Sequence, residues 1–127
     1  INFINNGSKE HTIHFHGIHA SNMDGAFEAV EPGENFIYEF DAAPMGFHLY
    51  HCHTRPLKRH LHKGLYGAFI IDPAGGRPEA KELVMLMNGF DTNFDGENEI
   101  YAVNSVAFHY EKHPIDIQHR IYRYNVL

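Results

Sequence analysis

The chain of 127 residues contains no tryptophan and a single cysteine, Cys52. One cysteine cannot form an internal disulfide, so cysteine usage does not identify the compartment in which the protein works. A lone cysteine also argues against a zinc finger, because that site needs several ligands that converge on one point.

An excess of basic residues and long apolar runs are also lacking. The formal net charge is −6, and without a basic stripe to neutralise phosphates we expect no nucleic-acid partner. The longest apolar runs, at 67–71 and 83–87, are too short to span a bilayer, so we expect no membrane span in this sequence. They are typical of strands.

Helical periodicity is absent, whereas alternating segments recur between turn signals rich in glycine and proline. Short strands at close spacing favour an all-β sandwich. A break in composition at 72–78 predicts a linker, and a histidine-rich loop separates two of the strands. The predicted strands are 1–4, 11–16, 35–40, 47–52, 66–71, 82–87 and two short ones near Tyr101 and Ile121.

The sequence begins on Ile1 and stops at Leu127 inside an alternating run, without an initiator methionine. We therefore expect it to be a piece of a longer chain. For that reason the missing export signal carries no weight.

Histidine is the abundant residue, with 12 copies. In His51-Cys52-His53, a β-strand would place both imidazoles on one face and the thiol on the other. Thiolate and imidazole suit zinc and copper. The tripeptide therefore predicts two metal centres, one on each side of a strand.

The segment 11–16 follows the same parity, with His14 and His16 on one face and His11 on the other. Cys52, His11 and His60 would form the trigonal set of a blue-copper centre. The remaining imidazoles would form an all-nitrogen site for additional copper, contributed by His14, His16, His51 and His53.

These motifs resemble the cupredoxin domain of the multicopper oxidase family, in the branch of two-domain laccases and copper nitrite reductases. The resemblance implies a cupredoxin-like Greek-key β-sandwich at 1–73 that lacks its N-terminal strands, a linker at 74–80, and the opening strands of an incomplete second cupredoxin domain at 81–127. In the family's order the motifs are His-x-x-His-x-His-Gly at 11–17, Asp24-Gly25, Pro32-Gly33-Glu34, His51-Cys52-His53, and Gly64-Leu65-Tyr66-Gly67.

The family's roles imply type 1 copper on His11, Cys52 and His60. They also imply type 2 copper on His14, and a type 3 pair on His16, His51 and His53. Asp24 is implied as a proton relay for oxygen reduction, although it could simply cap a turn.

The implied function is a copper-dependent oxidoreductase that takes single electrons from a donor at type 1 copper and reduces dioxygen to water at a trinuclear cluster. A phenol, a metal ion or a small redox protein could be the donor. The resemblance further implies a homotrimer outside the cell or in the periplasm. Family members hold the cluster with eight imidazoles, of which this sequence matches four, so another domain is expected to share it.

Three positions at which this chain departs from the nitrite reductase pattern bear on the choice between a laccase-like oxidase and a nitrite reductase. Nitrite reductases typically carry Asp where this chain has His14, a small residue at His53, and an axial Met at Leu65. His14 and His53 favour dioxygen as the electron acceptor. A missing axial ligand is expected to raise the reduction potential of type 1 copper. The alternatives are a nitrite reductase, a blue-copper electron carrier with a vestigial second site, and a copper-sequestering module.

The remaining features carry weaker expectations. His19, His48 and His62 could be either ligand-supporting or surface residues, and His109, His113 and His119 are expected to face solvent. The segment 91–96 imitates the start of a calcium-binding EF-hand loop, but the twelfth position is Ala102, where a bidentate glutamate is needed.

Overall fold

The computed structural model describes residues 1–17, 21–116 and 122–126. These residues form two compact units, Ile1–Asp72 and Pro73–Leu127. The first unit contains every predicted copper ligand.

Five strands build the first unit, in two sheets. Strands β1 (Asn2–Ile4) and β3 (Asn35–Ile37) form an antiparallel pair. Strand β4 (Gly46–His51) lies between β2 (His14–Phe15) and β5 (Tyr66–Ile71), antiparallel to both. A short 3-10 helix spans Ser21–Met23. The predicted strand 11–16 is thus shorter than expected, because His11 forms only an isolated bridge with Val30.

An aromatic core joins the two sheets of this unit. Phe15 and Tyr38 are almost fully buried, and their rings meet edge to face at 5.3 Å. Side chains from both sheets pack against them, namely Phe3, Ile13, Phe36, Phe40, Tyr50 and Phe69. Burial of each large apolar side chain contributes about 1.5–3 kcal/mol. The predicted all-β fold is confirmed, and the core lies on the side of β2 opposite to its histidine.

The sequence predicts the segment between β4 and β5 as a loop. That prediction is wrong in one respect, because the segment contains helix α1 (Leu57–His62). The helix begins after Pro56, which suits a helix start because proline has no N–H to leave unpaired. It ends at His62, and the chain then turns away at Gly64, whose φ of +83° favours glycine. Six residues are too few to show a clear helical period in the sequence.

The second unit contains β6 (Lys81–Met85), β7 (Met87–Phe90), β8 (Ile100–Val103), helix α2 (His109–Lys112) and β9 (Tyr122–Val126). Strands β7 and β8 are antiparallel, whereas β6 and β9 are parallel. The predicted strand 82–87 is therefore two strands, divided at Leu86. Asn104 makes two hydrogen bonds there: its side-chain oxygen accepts the N–H of Leu86, and its own N–H donates to the carbonyl of Leu86. Ile121 lies outside the described residues.

None of the helices within the described ranges has the length and hydropathy that a bilayer-spanning helix requires.

Candidate metal centres

The strand register brings the two histidine motifs together. His14 on β2 lies opposite His51 on β4, and Phe15 lies opposite Tyr50. Because side chains alternate along a strand, this register puts histidines on one face and the aromatic core on the other.

One cluster contains the thiol. The Sγ atom of Cys52 lies 3.3 Å from Nδ1 of His60 and 3.6 Å from Nδ1 of His11. The two imidazole rings are 5.2 Å apart and nearly perpendicular. Cys52 is only 5% exposed, so its sulfur is shielded from water, whereas His11 and His60 are half-buried.

The pKa of His60 lies below its ordinary value, first because burial disfavours the charged ring and then because His11 is close. Burial, followed by His14 and His51, likewise lowers the pKa of His53. Neutral imidazole is the form that binds metals. Both histidines are therefore biased toward ligation near neutral pH.

The second cluster contains only imidazoles. The Nε2 atoms of His16 and His51 are 2.9 Å apart. The ring of His14 lies 4.7 Å from that of His16, 5.3 Å from that of His51 and 5.1 Å from that of His53. His53 and His51 stack with centroids 5.7 Å apart. All four predicted members thus meet on one side of the segment His51-Cys52-His53, which begins at the last residue of β4.

Hydrogen bonds at Nδ1 orient two of these rings. His14 donates from Nδ1 to the carbonyl of Asp24 at 2.7 Å, and His51 donates to the carbonyl of Cys52 at 2.9 Å. A carbonyl can only accept, so the proton is on Nδ1 and the Nε2 atom of each ring carries the lone pair that a metal would bind.

The donor set fits copper at both clusters. In the second, the Nδ1 atom of His53 is buried and has no hydrogen-bond partner among the described residues. An unpaired buried nitrogen is costly unless something binds it, and a metal would remove that cost. One thiolate with two imidazoles suits blue copper, and four imidazoles suit further copper.

Asp24 lies beside the second cluster. Its Oδ1 is 3.4 Å from Nδ1 of His14. The next residue, Gly25, has a φ of +69°, and a Cβ there would overlap the carbonyl oxygen of Ile13. Only glycine allows the chain to turn so close to β2, and this turn holds the carboxylate at the cluster.

Two buried polar residues near the clusters are not apparent from the sequence. Thr12 accepts the backbone N–H of His53 at 2.9 Å and so ties the two ligand segments together. Asn5 donates to the carbonyls of Lys9 and Val30, both at 2.7 Å, which anchors the loop before His11. Their partners are distant in sequence or carry no motif, so no sequence signal pointed to them.

Several other histidines lie away from both clusters. His48 stacks on Phe69 and donates from Nε2 to the carbonyl of Pro44 at 2.9 Å. His109 and His113 are exposed, as predicted. His19 and His119 lie outside the described residues.

The acidic loop of the second unit is organised by its own backbone. Asp91 accepts the N–H groups of Asp95 and Gly96 at 3.1 and 2.8 Å. Glu99 accepts the N–H of Thr92 at 2.6 Å. These bonds hold the acids and the glycine of this loop in a turn.

Leu65 lines a cavity of about 420 Å³ that also reaches Cys52 and His11. Its N–H donates to the carbonyl of His60, and its carbonyl accepts the N–H of Cys52. Its side chain is 38% exposed. The position predicted as axial is thus anchored to two members of the thiol cluster but offers no donor atom.

Leu65→Met is expected to lower the type 1 reduction potential, because a thioether added at the axial position stabilises Cu(II). Redox titration of the blue absorbance measures the change. Leu61→Met on α1 serves as the control and should leave the potential unchanged. An unchanged or raised potential in Leu65→Met would place the axial position elsewhere.

Together, the sandwich and its two clusters define a copper-binding domain of cupredoxin type. The family model described as multicopper oxidase matches residues 1–76. The chain therefore belongs to the multicopper oxidase family, and copper is its cofactor.

Individual relatives support this family assignment. A crystal structure of a multicopper oxidase superposes with a TM-score of 0.91 at 48% identity, covering 100% of this chain and 47% of that one. The copper-containing nitrite reductase of Neisseria meningitidis serogroup A is 30% identical over 95 residues, which are 72% of this chain and 25% of that protein. Laccase ustL of Ustilaginoidea virens is 40% identical over 76 residues, which are 54% of this chain and 11% of the laccase. The chain thus spans at most about a quarter of these two curated relatives.

Proposed function

We propose that the protein is a copper-dependent oxidoreductase that takes single electrons from a donor and reduces dioxygen to water. One observation carries the proposal. The thiol cluster and the imidazole cluster lie on opposite sides of the tripeptide His51-Cys52-His53, so one three-residue segment at the end of β4 would link an electron-accepting site to a second metal site.

Copper, when bound, would supply one-electron redox chemistry at the thiol cluster and oxygen reduction at the imidazole cluster. The chain would hold the ligand side chains in position and set their protonation states. His11, Cys52 and His60 would hold type 1 copper. His14 would hold type 2 copper, and His16, His51 and His53 would hold the type 3 pair. The peptide bonds on either side of Cys52 give a short covalent path between the two clusters.

Dioxygen is favoured over nitrite by two residues. His14 and His53 both belong to the imidazole cluster, with rings 5.1 Å apart, and they add nitrogen ligands where the resemblance to nitrite reductases predicts Asp and a small residue. Nitrite reduction remains the second candidate because a named nitrite reductase is 30% identical over 72% of the chain.

Assembly and location are part of the proposal. The second unit would begin another cupredoxin domain, and a homotrimer would complete the oxygen-reducing site, as the resemblance to two-domain relatives implies. A phenol, a metal ion or a small redox protein would be the electron donor. The periplasm or the cell exterior would be the location, consistent with the likeness to laccases.

The proposed function is tested by giving copper-loaded, full-length protein a reducing donor with either dioxygen or nitrite as acceptor. Oxygen uptake with water as product is expected, measured with an oxygen electrode and a peroxide assay. Nitric oxide formation from nitrite without oxygen uptake would favour the nitrite reductase. Blue protein that reduces neither acceptor would leave an electron carrier or a copper-sequestering module.

Asp24→Asn is expected to lower oxygen turnover by about 100-fold or more, the usual contribution of a positioned proton donor. The amide keeps an oxygen acceptor beside His14, so copper content and blue colour should persist. Turnover is measured by oxygen uptake, with the exposed Asp41→Asn as the control. Full oxygen uptake in Asp24→Asn would show that Asp24 serves only the turn and is not a proton donor.

A further inference from the structure

Positive charge is concentrated next to the thiol cluster. No aspartate or glutamate occurs between Asp41 and Asp72. Four of the chain's 10 lysine and arginine residues fall within that interval, at Arg55, Lys58, Arg59 and Lys63. The whole chain has a net charge of −6, so this segment has a local excess of positive charge in an acidic protein.

Helix α1 and its C-cap residue Lys63 place three of these charges on the surface. Residues four apart on a helix share a face, which pairs Lys58 with His62 and Arg59 with Lys63. Lys58, Arg59 and Lys63 are exposed, whereas His60 is partly buried. His60 also has its Nδ1 3.3 Å from the sulfur of Cys52. One short helix therefore carries a candidate type 1 ligand inward and a basic surface outward.

The charges are not arranged to hold a small anion. The cavity beside Leu65 has a volume of about 420 Å³, but among the described residues its lining includes no lysine or arginine. A small anion is bound by donors that converge on one point. Cations spread along an exposed helix instead match a broad surface of negative charge, as in the docking of one protein on another.

We propose that the outer face of α1 docks the acidic surface of a small electron-transfer protein, which donates electrons beside His60. This inference rests on the proposed function and narrows its donor class. With copper bound by His11, Cys52 and His60, each encounter would pass one electron from the partner's reduced centre to that copper, with no bond formed or broken. Cationic donors such as free metal ions are disfavoured by the same charges.

The test uses copper-loaded, full-length protein in anaerobic stopped-flow experiments that follow bleaching of the blue absorbance. Reduced plant-type ferredoxin is the acidic donor, reduced horse-heart cytochrome c the basic one, ferrocyanide the small anion and hydroquinone the neutral donor. Lys58→Glu/Lys63→Glu is compared with Lys81→Glu/Lys112→Glu, which makes the same charge change at exposed positions of the second unit.

The α1 variant is expected to react with ferredoxin about tenfold more slowly or worse at low ionic strength, an effect that salt should diminish. The control variant should change less than twofold, and hydroquinone should reduce every form equally. Titration of oxidised ferredoxin into each protein should show salt-sensitive binding that the α1 variant loses, a readout independent of turnover.

Equal ferredoxin rates in the two variants would overturn the docking surface. So would a loss confined to ferrocyanide, which would assign the charges to a small anion. Failure of the proposed function looks different, because wild-type protein reduced by hydroquinone would then consume no dioxygen while ferredoxin binding remained measurable.

Discussion

Replacement of Cys52 by serine is expected to abolish the blue colour of the copper-loaded protein. The colour of a type 1 centre comes from charge transfer between thiolate and Cu(II), and a serine hydroxyl provides no sulfur and does not ionise near neutral pH. Cys52 lies within 3.6 Å of both candidate imidazole partners, so its loss removes the one soft ligand of this cluster. Donor-driven oxygen uptake should disappear with the colour.

The measurement is the visible spectrum, with copper content determined in parallel. His48→Gln provides the control, because His48 stacks on Phe69 and should not affect the colour. Far-UV circular dichroism checks that the Cys52→Ser variant is folded. A blue Cys52→Ser variant, or a colourless wild type with full copper occupancy, would contradict the assignment.

The isolated 127-residue chain, when monomeric, is expected to reduce no dioxygen, whereas the full-length assembly should reduce it. Four imidazoles gather in the second cluster, and the resemblance implies eight for three coppers. Half of a ligand set leaves coordination positions to water or adventitious metal. The three proposed type 1 ligands all belong to the first unit, so the isolated chain should still become blue.

This comparison needs an oxygen electrode, copper analysis and a measurement of molecular mass on both forms. Blue colour without oxygen uptake in the isolated chain, together with uptake by the assembly, is the expected pair of results. Oxygen reduction by a verified monomer would show that no second domain is needed.

The sequence alone determined which residues could meet. Strand periodicity is strictly two, so the positions within 11–16 and 51–53 were enough to sort thiol from imidazoles. The observed register, with His14 opposite His51, brings together the residues that this parity grouped. The all-β class was equally accessible, because short alternating segments and glycine-proline turns are local features.

Tertiary structure alone decided how these residues are held. Helix α1 is too short for its period to appear in the sequence, yet it points His60 at the sulfur while its lysines face outward. The bond from His53 to Thr12 and the approach of Asp24 to His14 join segments separated by 41 and 10 residues. Such contacts depend on how the chain folds back on itself, and no local propensity encodes them. The same holds for the aromatic core, where Phe15 meets Tyr38 only once the two sheets have packed.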